Sequence, residues 1–299
     1  MLSLPESELI LNPDGSVYHL GLRPEHLAPL IITVGDPARV AAVSERFDEV
    51  TLRVARREFV SHGGRFAGRP LLCVSTGIGT DNVDIVIGEL DALANVDFAT
   101  RRERQALRRL TFLRLGTSGA AQADLPIDSL AVTEVAIGLD GLGPHYEFPA
   151  DPTADALRGA FPRWAASAYG AVGSQALVGD WVGVGARRVT TLTCAGFYGP
   201  QRRRLRLPFR GPGLRELTAW RCAGRPERRI DNFEMETAGI YALALALGHR
   251  AVSVSALLAN RATGGFSEDS GAAVSGLIDA AFRRFTEQPE LYWPASVGG

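Results

Sequence analysis

Two short runs hold the residues whose types and spacing could do chemistry. Asp231-Asn232-Phe233-Glu234-Met235-Glu236-Thr237-Ala238-Gly239-Ile240-Tyr241 sets two carboxylates around a methionine at the mouth of an apolar segment. FLRLGTSGA (112–120) sets Arg114 inside an apolar run that ends in two hydroxyls and two glycines. Buried charges are costly unless paired, so Arg114 needs an anionic partner and the carboxylates need partners of their own. A third run, ITVGDPARV (32–40), joins a strand through Gly35 to a helix start with Pro37 in its first turn. Free N–H groups there, with Arg39 one turn further on, suit an anion.

These patterns read as anion binding. A serine nucleophile is not expected, because GTSGA misses G-x-S-x-G by one place. TGIGTDN (76–82) lacks the third glycine of a dinucleotide fingerprint and reads as plain strand-turn-helix packing. His19, His26, His62, His145 and His249 never fall at a metal-ligand spacing such as HExxH, so no catalytic metal is expected. All 32 basic residues are arginine, which removes a Walker A lysine and a lysine Schiff base, and leaves Arg and backbone N–H groups to hold any oxyanion.

The positioning elements follow from apolar patterning. LIITV (30–34), PLLCVST (70–76), FLRLG (112–116), SLAVTEVAIG, RVTTLTC and RAVSVSALLA read as buried strands. GAVGSQALVG reads as a further strand, and TSGA as a Gly-rich turn. PARVAAVSERF, NVDIVIGELDALAN, METAGIYALALALG and SGAAVSGLIDAAFRRF have helical spacing, with a further helix near 153–168. This alternation predicts one α/β domain over 1–299, with a sheet flanked by helices and a ligand site where strands end in Gly-rich turns. Residues 198–229 carry ten of the 32 arginines and read as an irregular, mostly solvated flap with one short helix near GLRELTAW. A net charge of −1 gives no reason to expect nucleic-acid or membrane binding. Three cysteines with no CxxC pairing, and an acidic N-terminal stretch lacking a basic n-region, lead to the expectation of a cytoplasmic protein with reduced thiols.

Nine collinear segments, YHLGL (18–22), VGDPARV (34–40), RREF (56–59), STGIG (75–79), FLRLGTSGA (112–120), LDG (139–141), GFYGPQRR (196–203), NFEMET (232–237) and ANR (259–261), resemble the nucleoside phosphorylase-I superfamily, and within it the uridine phosphorylases. The resemblance implies a mixed, distorted barrel-like central sheet and cleavage of a nucleoside by inorganic phosphate. It implies a phosphate site from Gly35, Arg39, Arg114 and Thr117, with Arg57 reaching in from a neighbouring subunit. Glu236, helped by Glu234, would hold the ribose hydroxyls, Met235 would lie against the sugar, and His19 would reach a partner's 5′-hydroxyl. Phe197, Gln201, Arg203 and Arg261 would read the base. The active unit would then be a homo-oligomer, a dimer or a trimer of dimers, with residues 1–28 contributing to subunit contacts.

No organic cofactor is implied. A potassium ion between subunits at Glu58 is, although Asn82 stands where such relatives carry serine. Ala259-Asn260-Arg261 lacks the aspartate of purine-cleaving relatives, which favours uridine over a purine nucleoside; three anion-directed runs weigh against a nucleosidase, and Glu236, Arg114 and Gln201 against a non-catalytic nucleoside binder. Gly199-Pro200 reverses the family's usual order beside the base-reading residues.

Overall fold

Five strands close on themselves to form the centre of the molecule, and the candidate site lies at one end of that ring. A computed structural model describes residues 3–293; residues 1–2 of the expected N-terminal contact segment, and residues 294–299, lie outside the described residues. The chain begins its sheet with β1 (Leu30–Val34), then α1 (Pro37–Ser44), β2 (Glu49–Arg56), β3 (Phe59–Phe66) and β4 (Arg69–Ser75). Helix α2 (Thr80–Asn95) and a small hairpin of β5 (Val96–Asp97) and β6 (Arg102–Glu103) precede the long strands β7 (Thr111–Ala120) and β8 (Leu130–Leu139). After α3 (Thr153–Ala160) come β9 (Tyr169–Val172), α4 (Gln175–Gly183) and β10 (Arg187–Cys194). The arginine-rich segment holds α5 (Leu214–Ala219) and a hairpin of β11 (Arg221–Cys222) and β12 (Arg225–Arg229). The chain then runs through β13 (Asn232–Glu234), α6 (Thr237–Ala246), β14 (Arg250–Asn260), β15 (Gly265–Phe266), α7 (Ser270–Glu287) and α8 (Pro289–Tyr292).

The ring runs β14–β8–β10–β13–β7 and returns to β14, with the β14–β8 and β13–β7 pairings antiparallel and the other three parallel. From β7 the sheet extends outward through β1, β4, β3 and β2. Helices cover both faces, which is why the inner strands read as unbroken apolar runs. Ile31, Leu72 and Phe112 pack toward α2 and α6, whereas Ile32, Cys73, Leu113 and Val252 pack toward α1, α4 and α7. A third cluster joins Leu157, Leu192, Leu217 and Phe233 under α3 and α5.

Three readings from sequence need correction. TSGA is the second half of β7, because the backbone keeps its ladder to β14 through Gly119↔Ala259 and Ala120↔Asn260. GAVGSQALVG splits into the end of β9 and most of α4, whose Leu177, Val178 and Trp181 bury one helical face. The β2–β3 hairpin carries alternating exposed positions and two glycines, so it has no apolar run to announce it. It nevertheless puts Arg57 and Glu58 at a turn, with Arg57 at φ 54° in the left-handed region.

Candidate active site

Arg114, Glu234 and Glu236 form a buried ion triad, each at most 5% exposed. β7 carries Arg114 beside Thr33 of β1 and Ser253 of β14, in the first half of the two long strands and near the end of β1. Its Nη2 donates to Glu236 Oε2 at 2.5 Å and lies 3.2 Å from Glu234 Oε2, while Nη1 donates to Ser255 at 3.4 Å. The fold makes room for this at Gly116, where an added Cβ would sit 1.8 Å from Arg114 Nη1. The first glycine in FLRLGTSGA therefore serves the arginine two residues before it.

Glu236 opens α6 as its N-cap residue and receives the N–H of Gly79, the N-cap residue of α2, on Oε1 at 2.8 Å. The N-terminus of α2 thus faces this carboxylate, a favourable place for negative charge. The STGIG turn is strand-turn-helix packing as expected, and it also supplies this donor; Gly79 at φ 99° gives the turn its shape. Glu234 accepts the N–H groups of Glu236 and Thr237 on Oε2, at 3.0 and 2.9 Å, and the Thr193 hydroxyl on Oε1 at 2.5 Å. It caps α6 as an acidic residue before a helix should. Glu236 leaves room for a ligand's hydroxyls, whereas the lone pairs of Glu234 are largely committed.

Reading the runs separately gives Arg114 and Glu236 two different external partners. The structure pairs them with each other. Burial pulls the Arg114 guanidinium down, but the two carboxylates outweigh it and hold it above the ordinary arginine value. Burial, with the Glu234 charge added, raises Glu236 above the usual glutamate value of 4.5, against the opposing pull of Arg114.

The triad opens onto a cavity of about 720 Å³, within the range of small-molecule sites. Gly35, Arg39, Arg114 and Thr117 all line it, and two of the four are cationic. Asp36 caps α1 through the Ala38 N–H, and Arg39 donates to the Leu115 carbonyl at 3.3 Å. Burial, reinforced by the Arg114 charge, lowers the Arg39 guanidinium, as two cations facing one space should. Met235 and Glu236 also line it.

The lining is also aromatic and polar. Gln201 is buried and accepts from Arg203, whose guanidinium lies 3.7 Å from the Phe197 ring centroid and donates to the Phe197 carbonyl at 2.9 Å. Burial, then the neighbouring Arg261 charge, lowers Arg203 to about 10, which leaves it cationic at neutral pH.

Not every expected residue faces this space. Arg261 donates to the carbonyls of Gln201 and Arg202, at 2.9 and 3.2 Å, and so anchors the base-reading loop without lining the cavity. Glu58 is at the exposed rim, and Arg57, also exposed, turns to Tyr18. His19 lies outside the cavity, its Nδ1 2.7 Å from Glu89 of its own chain. Among the described residues no three His, Cys, Asp or Glu side chains gather as a metal site. Sequence reading missed Phe233, Leu258 and Phe266, which add apolar wall. It also missed Thr193 and Ser255, whose only signal is a hydroxyl recurring inside buried strands.

A family model described as "Phosphorylase superfamily" matches residues 29–286. The chain is 30% identical over 261 residues to a uridine phosphorylase of Thermococcus kodakarensis, an alignment covering 85% of this chain and 81% of that one. It is 30% identical over 250 residues to a uridine phosphorylase of Escherichia coli, covering 82% and 86% respectively. A Trypanosoma brucei nucleoside phosphorylase whose crystal structure is described as showing uridine phosphorylase activity superposes with a TM-score of 0.83, at 25% identity, over 93% of this chain and 99% of that one. With the family model spanning most of its length and relatives 30% identical over more than four fifths of it, the chain belongs to the phosphorylase superfamily.

Proposed function

We propose that this protein is a uridine phosphorylase, a pentosyltransferase that converts uridine and inorganic phosphate into uracil and ribose 1-phosphate. The observation that carries the reading is one cavity lined by Arg39 and Arg114, by the Glu236 carboxylate paired with Arg114, and by the amide–guanidinium pair of Gln201 and Arg203. Phosphate lies on Gly35, Arg39, Arg114 and Thr117, where arginine suits its oxygens. Glu236 accepts from the 2′- and 3′-hydroxyls, and Met235 packs on the sugar. Gln201 and Arg203 meet the uracil edge, with Phe197 beside the ring.

In the reaction the C1′–N1 bond breaks with its electron pair moving onto uracil, and a phosphate oxygen forms the new bond to C1′. Phosphate is already an anionic nucleophile and needs no general base. Arg203 and Gln201 stabilise the charge that builds on the uracil carbonyls. Glu236 sits beside the cationic sugar, with Arg114 spanning it and the phosphate. Catalysis is then positioning plus electrostatic stabilisation at both ends.

Asn260 supports uridine over a purine. Its amide N–H₂ donates to the carbonyls of Gln122 and Leu125, and its oxygen accepts from Ala262 and Thr263, so it is consumed in holding a turn. No carboxylate stands there to protonate a purine leaving group.

Incubating the protein with a nucleoside panel, with and without phosphate, and following free base tests the proposal. Uridine cleavage that requires phosphate supports it; phosphate-independent release, or inosine cleaved far faster than uridine, overturns it. The proposal extends to assembly. His19 and Arg57 lie outside their own chain's cavity, and would complete a site in a second copy, so sedimentation should find at least a dimer. A monovalent cation held between copies by Glu58 and Asn82 is part of the same reading, tested by comparing potassium with lithium salts. Cytoplasmic residence, supported by three buried free cysteines, is tested by cell fractionation.

A further inference from the structure

A second cavity, of about 700 Å³, lies under the arginine-rich flap and is as large as the one that would take nucleoside and phosphate. Four arginines line it, Arg202, Arg203, Arg206 and Arg210, and no acidic side chain does. Trp164, Tyr198 and Phe209 supply aromatic wall, joined by Leu205 and Leu207, which are 70% and 73% exposed.

Arg202 is the unusual member. It is only 7% exposed and its guanidinium lies between the rings of Trp164 and Phe209, 5.0 and 4.8 Å from their centroids. Its Nε and Nη1 donate to the carbonyls of Pro200, Arg210 and Pro212. No carboxylate pairs with it among the described residues, and its backbone sits at φ 62° to aim it there. A buried guanidinium normally has an anionic partner.

We propose that the flap cavity binds a small planar aromatic anion, of the chemistry of a nucleoside monophosphate, and that its occupancy is coupled to base recognition. The aromatic rings stack on the planar group while the arginines take the phosphoryl charge. The lining holds no carboxylate, in contrast to the triad cavity.

The coupling runs through Arg203, which lines both cavities. Its guanidinium is held on Phe197 and Gln201 at the base-reading end. An anion in the flap cavity competes for that same guanidinium, so occupancy weakens uridine binding and uracil weakens the anion by the same factor.

The test titrates intact protein with adenosine 5′-monophosphate, following Trp fluorescence and, separately, equilibrium dialysis. The expected result is a quench that Trp164→Phe abolishes while dialysis still finds the nucleotide bound. Uracil should raise the apparent Kd to a plateau, about fivefold or more, and the nucleotide should raise KM for uridine more than it lowers kcat. Arg206→Glu/Arg210→Glu, on exposed positions away from the triad, should weaken nucleotide binding about tenfold or more and leave uridine turnover without nucleotide intact. Absence of binding at millimolar nucleotide overturns the proposal. So does a Kd that climbs linearly with uracil without limit, which means one shared site, or an affinity unchanged in the double variant. Basal turnover in the same samples reports on the phosphorylase reading independently.

Discussion

Replacing Glu236 separates its support of the buried triad from its proposed hold on the ribose. In Glu236→Gln the shape is kept, but one side-chain oxygen must serve both Arg114 and the Gly79 N–H, which now lie 2.5 and 2.8 Å from two different oxygens. One unmet hydrogen bond costs about 1 kcal/mol, partly offset by relief from the Glu234 charge. Glu236→Ala strands both donors. Breaking a buried ion pair costs about 3–5 kcal/mol, and the low end applies because Glu234 remains 3.2 Å from the guanidinium. At roughly 2–4 °C per kcal/mol for a chain of this class, the alanine variant should melt about 6–12 °C below the parent and the glutamine variant within about 4 °C of it. Phosphorolysis should follow a different scale. Two charge-assisted bonds to ribose hydroxyls each lose about 1 kcal/mol in the amide, so kcat/KM for uridine should fall about thirtyfold in Glu236→Gln, and on the order of a thousandfold in the alanine variant. Calorimetry and initial rates measure the two scales. Equal melting points for the two variants, or a glutamine enzyme within twofold of the parent in kcat/KM, would refute the reasoning.

The remaining predictions concern the same cavity. Because burial raises the Glu236 carboxyl above 4.5 and the reading requires its ionised form, kcat/KM should rise with pH through a limb lying above that value, a limb absent from the Glu236→Gln profile. Gly116→Ala would bring a Cβ to 1.8 Å from Arg114 Nη1 and displace the guanidinium, so KM for phosphate should rise at least about tenfold with a lower melting point, and an unchanged phosphate KM would contradict this placement. Gln201→Ala should relax discrimination among bases with little change in KM for phosphate, whereas Arg114→Ala should do the reverse; equal small losses in a base-and-phosphate kinetic matrix would dissolve the division of the site. Arg261→Ala removes two bonds to the base-reading loop and should raise KM for uridine several-fold while speeding proteolysis within residues 198–212, which limited digestion would reveal.

The fold was legible where burial on both faces writes a continuous apolar run, as in LIITV and RAVSVSALLA, or where helical spacing survives over ten or more residues, as in α2 and α7. It was not legible at β2, whose exposed alternation resembles loop composition, nor at β3, where His62, Gly63 and Gly64 break the apolar run, nor at TSGA, where Gly119 and two hydroxyls suggest a turn although the neighbouring strands impose an extended ladder. The site was legible as a set of residue types: a lone arginine in an apolar strand, two carboxylates before an apolar helix, and a glycine between strand and helix. A sequence of this kind states that such charges need partners, because low-dielectric burial penalises every ion left alone. It does not state which partner each ion finds. Only the closing of the strand ring brings Arg114 against Glu236, 122 residues apart in the chain, and turns the α2 N-terminus onto the same carboxylate. The chain by itself thus determined that DNFEMETAGIY and FLRLGTSGA must be compensated. The tertiary structure decided that they compensate each other, since distances of a few ångströms, not residue type, set which charges pair.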